Sequence, residues 1–456
     1  MSETLIGILG FITIALIVVT LFKSWTVPSV AFIVFPALLA IALVIGGYYS
    51  WDDIGSLIKS GFSSTGPTAA LFVFSVLYFG VMSDTGMFDV VIGKLMKLVG
   101  NSVIGVAVVT CIIALIGHLD GGGASTFCIV IPAMLPVYKR MHMKPTSLLR
   151  IAVLAMGVLN LMPWAGPTMR AATVLEIEAA SLWQTILPIQ IFGIVLAIVV
   201  AVITGILEKK RGAGLNGKLA EAEGEVVVDE AAKEEANELA RPKLFIFNLL
   251  LTVAVIAMLI WDVFPSYVPF MIGLAVAVFV NYGFKSSIHK KLVNLHAGPA
   301  LMMCSTLMGA AVLMGILVKT VEGADGAAIP SVITCMSNII ANYLPAFLGR
   351  HLPLVIGILS VPLALAFDTD SYFYGMLPVM IGIGAAFGIN ALPIAVAMVV
   401  CRNCATFISP MVPATLLGVG LAEVDIKDHI KSSFLWVWGF SILCMIFAII
   451  IGILPF

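Results

Sequence analysis

Charge is scarce in this sequence: 11% of its 456 residues are Asp, Glu, Lys or Arg, where soluble domains carry about a quarter. That shortage excludes an ordinary soluble fold. An excess of one sign is lacking too, with 24 basic against 25 acidic residues, and binding a phosphate backbone requires a basic face. A nucleic-acid partner is therefore not expected. Of the seven cysteines, six sit inside apolar runs as small hydrophobes rather than as a disulfide framework, and the lone C-x-x-C at Cys401 and Cys404 has no second pair to complete a metal site. Catalytic signatures are also missing: there is no H-E-x-x-H, no G-x-x-x-x-G-K-[ST] phosphate loop and no G-x-S-x-G nucleophile elbow in strand-turn-helix context. The chain reads as a non-enzyme without an organic cofactor, drawing on an ion gradient rather than a nucleotide. No basic segment precedes the first apolar run and no small-residue cleavage site follows it, so that run is expected to be a span.

What the chain does have is hydrocarbon. Hydrophobic residues make up 61% of it, and runs near the ~20 residues a bilayer requires occur at 5–22, 28–48, 66–83, 182–207, 244–261, 267–283, 297–318 and 433–455. Four further apolar regions, 102–138, 146–180, 351–382 and 390–420, are interrupted by polar, Gly or Pro residues. The expected class is an all-α polytopic membrane protein.

Between these runs the composition flips once, at 209–242, into a polar linker. The halves on either side, 1–208 and 243–456, read alike. Val27-Pro28 and Val268-Pro269 open the second spans, Gly66-Pro67 and Gly298-Pro299 the third, and "MLPV" recurs at 134–137 and 376–379. Each half is expected to hold three spans, a re-entrant hairpin, an interrupted span and a final span. Five crossings per half would invert one repeat relative to the other. With the N-terminus outside, this threading gathers Lys23, Lys94, Lys97, Lys139, Arg140, Lys144, Lys209, Lys210, Arg211, Lys285, Lys290, Lys291, Lys427 and Lys431 on one side, and leaves Lys59, Lys319 and Arg350 on the other. The crowded side, with the linker, is expected to be cytoplasmic. Inverted repeats with broken helices are how secondary transporters build a midplane site open to either face in turn.

The interruptions carry the chemistry. "GHLDGGGASTF" at 117–127 sets Asp120 and three bare glycines, Gly121, Gly122 and Gly123, among apolar flanks, with Ser125 and Thr126 as hydroxyl donors. Non-helical backbone at membrane depth is tolerated only inside protein or along a wet cavity, and glycine amides near a helix start suit an anion. "FDTDSY" at 367–372 is the counterpart, with Asp368 and Asp370. Intramembrane carboxylates point to proton carriers or metal ligands, so Asp120, Asp368 and Asp370 are candidates for both roles. His118 is a candidate proton relay.

The interrupted spans form a second pair, with Asn160 seven residues before Pro167 and Asn403 seven before Pro410. Proline cannot donate to the helix ladder and the residue before it avoids helical geometry, so unwinding is expected at 164–168, around Gly166 and Thr168, and at 409–413, from Ser409 with Thr415 just beyond. Arg170 and Arg402 flank the breaks as candidate carboxylate anchors. A structural pairing of Arg170 with Glu176, Glu178 or a tip aspartate is the alternative, as is a protein partner for Arg402.

"HLDGGGASTFCIVIPAMLPVYKRM", "LNLMPWAGPTMRAA", "GMLPVM" and "SPMVPATLLGVGLAEVDIKDH" closely resemble the citrate-metal:proton symporter family, CitMHS, of the ion transporter superfamily. The resemblance covers nearly the whole chain. It implies proton-driven uptake of citrate complexed with a divalent metal of magnesium or calcium type across the inner membrane. It further implies a homodimer with a scaffold domain and a moving transport domain, working as an elevator. Its motifs fall on Asp120 to Thr126, Pro163 to Arg170 and Ser409 to Thr415. One departure stands out: the Gly-Gln-Pro-like stretch expected before the second break reads "CRNCATF", which adds Arg402. Rival readings are a sodium-coupled di- or tricarboxylate carrier and, more distantly, an intramembrane enzyme using paired aspartates.

Overall fold

In the computed structural model, residues 1–23, 25–98, 102–215, 239–261, 264–323 and 327–455 are described, and they form helices with no β-strand among them. The first half opens with α1 (Glu3–Phe22), α2 (Pro28–Ile45) and α3 (Trp51–Asp84), followed by a short α4 (Met87–Leu98). A hairpin of α5 (Val103–Gly117) and α6 (Gly123–Arg140) comes next, then α7 (Pro145–Leu159), α8 (Gly166–Leu175) and α9 (Ala179–Arg211). In the second half α10 (Phe245–Ile260), α11 (Tyr267–Tyr282) and α12 (Ser286–Val318) precede two short helices, α13 (Val332–Tyr343) and α14 (Ala346–Arg350). Then follow α15 (Leu352–Ala364), a π-helix at Ser371–Met376 running into α16 (Leu377–Ala386), α17 (Ala391–Cys404), α18 (Pro413–Leu421) and α19 (Ile426–Ile450). Most of the linker read from the sequence, 216–238, lies outside the described residues.

Among the described residues seven helices are long and apolar enough to cross a membrane, while α11 has 16 residues. Large apolar side chains such as Ile12, Leu38, Val195 and Leu250 point outward from α1, α2, α9 and α10, a surface suited to lipid.

The structure corrects the expected starts of the third spans. Gly66-Pro67 and Gly298-Pro299 do not open helices; both prolines lie inside, because α3 starts at Trp51 and α12 at Ser286. Ser50 explains the first case. Its hydroxyl accepts from the Asp53 amide (3.1 Å) while the Asp53 carboxylate accepts from the Ser50 amide (2.7 Å), a capping box that fixes the helix start well before the proline. One missing N–H at Pro67 then costs a single ladder bond, which a long packed helix absorbs. The short helices α4 and α13, absent from the sequence reading, follow α3 and α12 in matching positions.

Two packing groups emerge. In one, α3 packs against α12 and α11, α12 against α2, and α1 against α2 and α13. Backbone approach there depends on glycine: a Cβ on Gly315 would come within 2.5 Å of the Leu57 carbonyl oxygen, and one on Gly61 would run into the Ala311 carbonyl. In the other group α5 packs on α9 and α7, α6 on α18, and α15 on α17. The two halves of the chain therefore interleave. The groups meet where α16 packs on α13, where α8 faces α3 and where the π-helix faces α12.

Candidate functional site at the hairpin tips and helix breaks

The first hairpin turns over residues 118–122, with Gly121 at a left-handed φ of 71° that any side chain would strain. Asp120 folds back onto its own tip: its Oδ1 accepts from the Gly122 amide at 2.8 Å and its Oδ2 from the Ser125 hydroxyl. The second tip repeats the device, as Asp368 Oδ2 accepts from the Asp370 amide at 3.0 Å. His118 is fully buried, one ring nitrogen bonded to the Thr126 hydroxyl (2.7 Å) and the other to Asn160 Oδ1 (3.1 Å). Both nitrogens are thus engaged by neutral groups, tying the first tip to the first break.

Both spans break, but earlier than their prolines suggest. The first is non-helical over 160–165 and the second over 405–412, apart from a 3₁₀ turn at Thr406–Ile408. The expected unwinding at 164–168 and 409–413 is corrected accordingly. Pro167 and Pro413 sit in the first turns of α8 and α18, where the missing N–H is an orphan anyway, so the unwound stretch precedes them. Pro163 has no N–H to bond the Leu159 carbonyl, where α7 ends.

The two breaks are knotted around one atom: the Asn160 carbonyl accepts from the Thr168 hydroxyl and from Asn403 Nδ2, each at 3.1 Å. The tips join them. Trp164 Nε1 donates to the Leu119 carbonyl at 2.8 Å, and the Phe407 ring stacks edge-on against His118, with centroids 5.3 Å apart. A Cβ on Gly123 would strike that ring. Phe407 was not among the residues singled out in the sequence; nothing in an isolated aromatic within an apolar run marks it. Ser409 accepts from the Met411 amide at 3.2 Å.

The charges are unevenly served. Arg170 donates through Nε to Asp370 Oδ1 at 2.5 Å, the pairing with a tip aspartate that sequence analysis held as the alternative. Arg402, 0% exposed, donates to the Thr406 hydroxyl (2.8 Å) and the Phe367 carbonyl (3.4 Å), lies over the Tyr372 ring, and makes no ion pair among the described residues. Buried polar atoms without partners gather here as well: Asn160 Nδ2, Asn403 Oδ1, Arg402 Nε and Thr415 Oγ1. Native interiors keep few such atoms, and these four of the nine among the described residues lie within a few residues of the two breaks. Among the described residues no three His, Cys, Asp or Glu side chains gather as a ligand set, so Asp120, Asp368 and Asp370 do not form a metal cluster. Asp120 and Asp368 have turned back onto their own tips.

Two cavities adjoin this region. One of about 420 Å³ is bounded by Ser60, Ser64 and Thr68 of α3, by Glu176 after α8, and by Lys319, which pairs with Glu176. A water-sized one of about 10 Å³ touches Phe72, Arg170, Met303, Thr306, Asp370 and Tyr374. Thr173, three residues beyond Arg170, donates to Thr68 at 2.9 Å.

The sequence model of the citrate transporter family, CitMHS, matches residues 14–401. The chain belongs to this family. Citrate transporters similar to it include the "Citrate transporter" of Bacillus subtilis (strain 168), 35% identical over 99% of this chain and all of the relative. The "Mg(2+)/citrate complex secondary transporter" of the same organism is 30% identical, covering 98% of this chain and 99% of the relative. In fold the chain resembles the YdaH transporter of Alcanivorax borkumensis, whose topology is described as unusual, with a TM-score of 0.58 at 15% identity, covering 87% of this chain and 88% of that one. The citrate transporter family comprises transporters rather than enzymes, and the chain is a multi-pass membrane protein.

Proposed function

We propose that this citrate transporter is a secondary carrier that imports citrate complexed with a divalent metal, coupled to protons, through elevator-type alternating access. The observation that carries the reading is the buried junction of two hairpin tips and two broken helices, where two arginines and several unpartnered polar atoms converge. The Mg(2+)/citrate relative supports the substrate.

Charge supports the coupling. A bare trivalent anion is prohibitive to move through hydrocarbon, whereas citrate holding one divalent ion keeps a single negative charge that a proton neutralises. The metal is cargo, bringing citrate's own oxygens, so a full set of protein ligands is not required. Arg170, Arg402 and the amides near Gly121, Gly122 and Gly123 would hold carboxylates, with Ser125, Thr126, Asn160, Gly166, Thr168, Asn403, Ser409 and Thr415 lining the site. Asp120, Asp368 and Asp370 would handle metal or proton; His118, bridged on both sides, serves as a strut. The α3 and α12 group would be the scaffold, and the group holding the tips and breaks would move against it. The halves 1–208 and 243–456 would be inverted repeats in a homodimer of the cell membrane, N-terminus outside and linker cytoplasmic.

Uptake of radiolabelled citrate into proteoliposomes under an imposed proton gradient tests this, comparing EDTA with magnesium, calcium, zinc and manganese, and with a sodium gradient as a separate arm. Metal-dependent, uncoupler-sensitive uptake is expected. Uptake indifferent to chelation and uncouplers would overturn the reading, and sodium dependence would replace it with the sodium-coupled carrier.

A further inference from the structure

Three aspartates occupy the two tips, yet the structure treats one of them differently. Asp120 and Asp368 each accept from the amide two residues on, at 2.8 and 3.0 Å. Among the described residues Asp370 accepts no bond from its own tip and turns outward to Arg170. In the first tip the residue two beyond the folded-back aspartate is Gly122, where the second has Asp370. A frame repeated in both hairpins has thus gained one extra carboxylate in the second, and α8 supplies its arginine.

The pair also stands at the right place. Its side chains are 9% and 13% exposed, and both border the water-sized cavity against Phe72, Met303 and Thr306. That cavity lies where the group bearing the tips meets α3 and α12. Phe72 follows Leu71, which lines the 420 Å³ cavity on the same helix.

Resting on the proposed metal–citrate cargo, we propose that the Arg170–Asp370 ion pair is what makes binding conditional on the metal: the complex inserts into the pair, a citrate carboxylate taking the guanidinium and the metal ion taking the Asp370 carboxylate. The logic is electrostatic. Free citrate satisfies Arg170 but sets its negative charge against a buried Asp370 that has lost its partner. A free divalent ion satisfies Asp370 but faces Arg170. Removing one partner of a buried pair is costly because the other charge is left uncompensated, so each component alone is penalised. Only a ligand that carries both signs side by side replaces both halves of the pair. A hard divalent cation accepts carboxylate oxygen, and a guanidinium binds carboxylate with directed bonds, so each half of the pair already has the chemistry of the group it would meet.

The test is calorimetric binding to the purified full-length protein, titrating citrate with EDTA, magnesium chloride alone, and citrate with magnesium chloride. In the wild type the magnesium form of citrate is expected to bind more tightly by a factor within the ordinary range of coupling between two ligands, about 5–150-fold. In Asp370→Asn the ratio is expected to collapse to about twofold or less, because the coupling through the carboxylate is gone. Asp370→Glu, which keeps the carboxylate, should restore the ratio. If Asp370→Asn does not fold because Arg170 is left unpaired, the charge-free double variant Arg170→Gln with Asp370→Asn decides: weak citrate binding with no metal dependence is expected. A wild-type ratio that survives in either the Asn or the double variant overturns this inference while leaving the metal–citrate reading standing. A wild type that binds citrate equally with EDTA and with magnesium overturns that reading, and this inference with it.

Discussion

Gly157→Ala is the perturbation whose magnitude is most directly read from the packing. Gly157 lies three residues before Asn160 on α7, and a Cβ there would come 2.9 Å from the Asn403 carbonyl oxygen and 3.0 Å from the Cys404 Cα. Both are backbone atoms of α17 at its break, so no side chain can swing aside. The helices must part by several tenths of an ångström, loosening the bond from Asn403 Nδ2 to the Asn160 carbonyl (3.1 Å) that joins the breaks. Two effects oppose each other. Alanine improves helix propensity by about 1 kcal/mol, while forcing atoms into a filled interior costs about 1–3 kcal/mol. Overpacking wins by up to about 2 kcal/mol. Domains of 150–250 residues lose about 2–4 °C per kcal/mol, and a longer chain loses less, so a fall of a few degrees in detergent is expected, with slower citrate uptake. Gly439→Ala on α19 is the control: a Cβ there meets nothing within 4 Å, leaving only the propensity gain of up to about 1 kcal/mol. A Gly157→Ala melting point equal to or above that of Gly439→Ala would refute the argument.

Two further outcomes are expected. Arg402→Met removes a fully buried cation that has only neutral acceptors. Burying an ion carries a desolvation penalty of several kcal/mol that no opposite charge offsets here, so the melting point without substrate should hold or rise while citrate affinity falls. A lower melting point would show that Arg402 is structurally paired. His118→Ala leaves Asn160 Oδ1 and the Thr126 hydroxyl facing a buried hole, which should cost about 1–3 kcal/mol. Proton-driven uptake per folded molecule should persist in vesicles, and its abolition in stably folded protein would make His118 a proton relay after all.

The membrane class, the hairpins and the breaks were all legible in the sequence because they are local. Composition alone excludes a soluble core, and Asp-Gly-Gly-Gly or a proline in an apolar run weakens the helix ladder at that point of the chain. Even so, local signals misplaced boundaries. Pro67 and Pro299 looked like helix starts, but a capping box at Ser50 and packing between α3 and α12 carried both helices through them. Pro167 looked like the centre of a break, yet it starts the helix after one.

Partnership was not legible. Asp120, Asp368 and Asp370 are equal candidates on paper, since residue type and apolar flanks are all the sequence offers. Only the folded chain turned two of them onto their own amides and sent the third to an arginine 200 residues away. Likewise Arg170 and Arg402 are two cations beside two breaks, of which one found a carboxylate and the other was sealed among carbonyl, hydroxyl and ring. Local chemistry sets which groups are buried and where the helices stop. Which charge meets which is decided by contacts across the whole chain, and such contacts exist only once the two interleaved halves have packed.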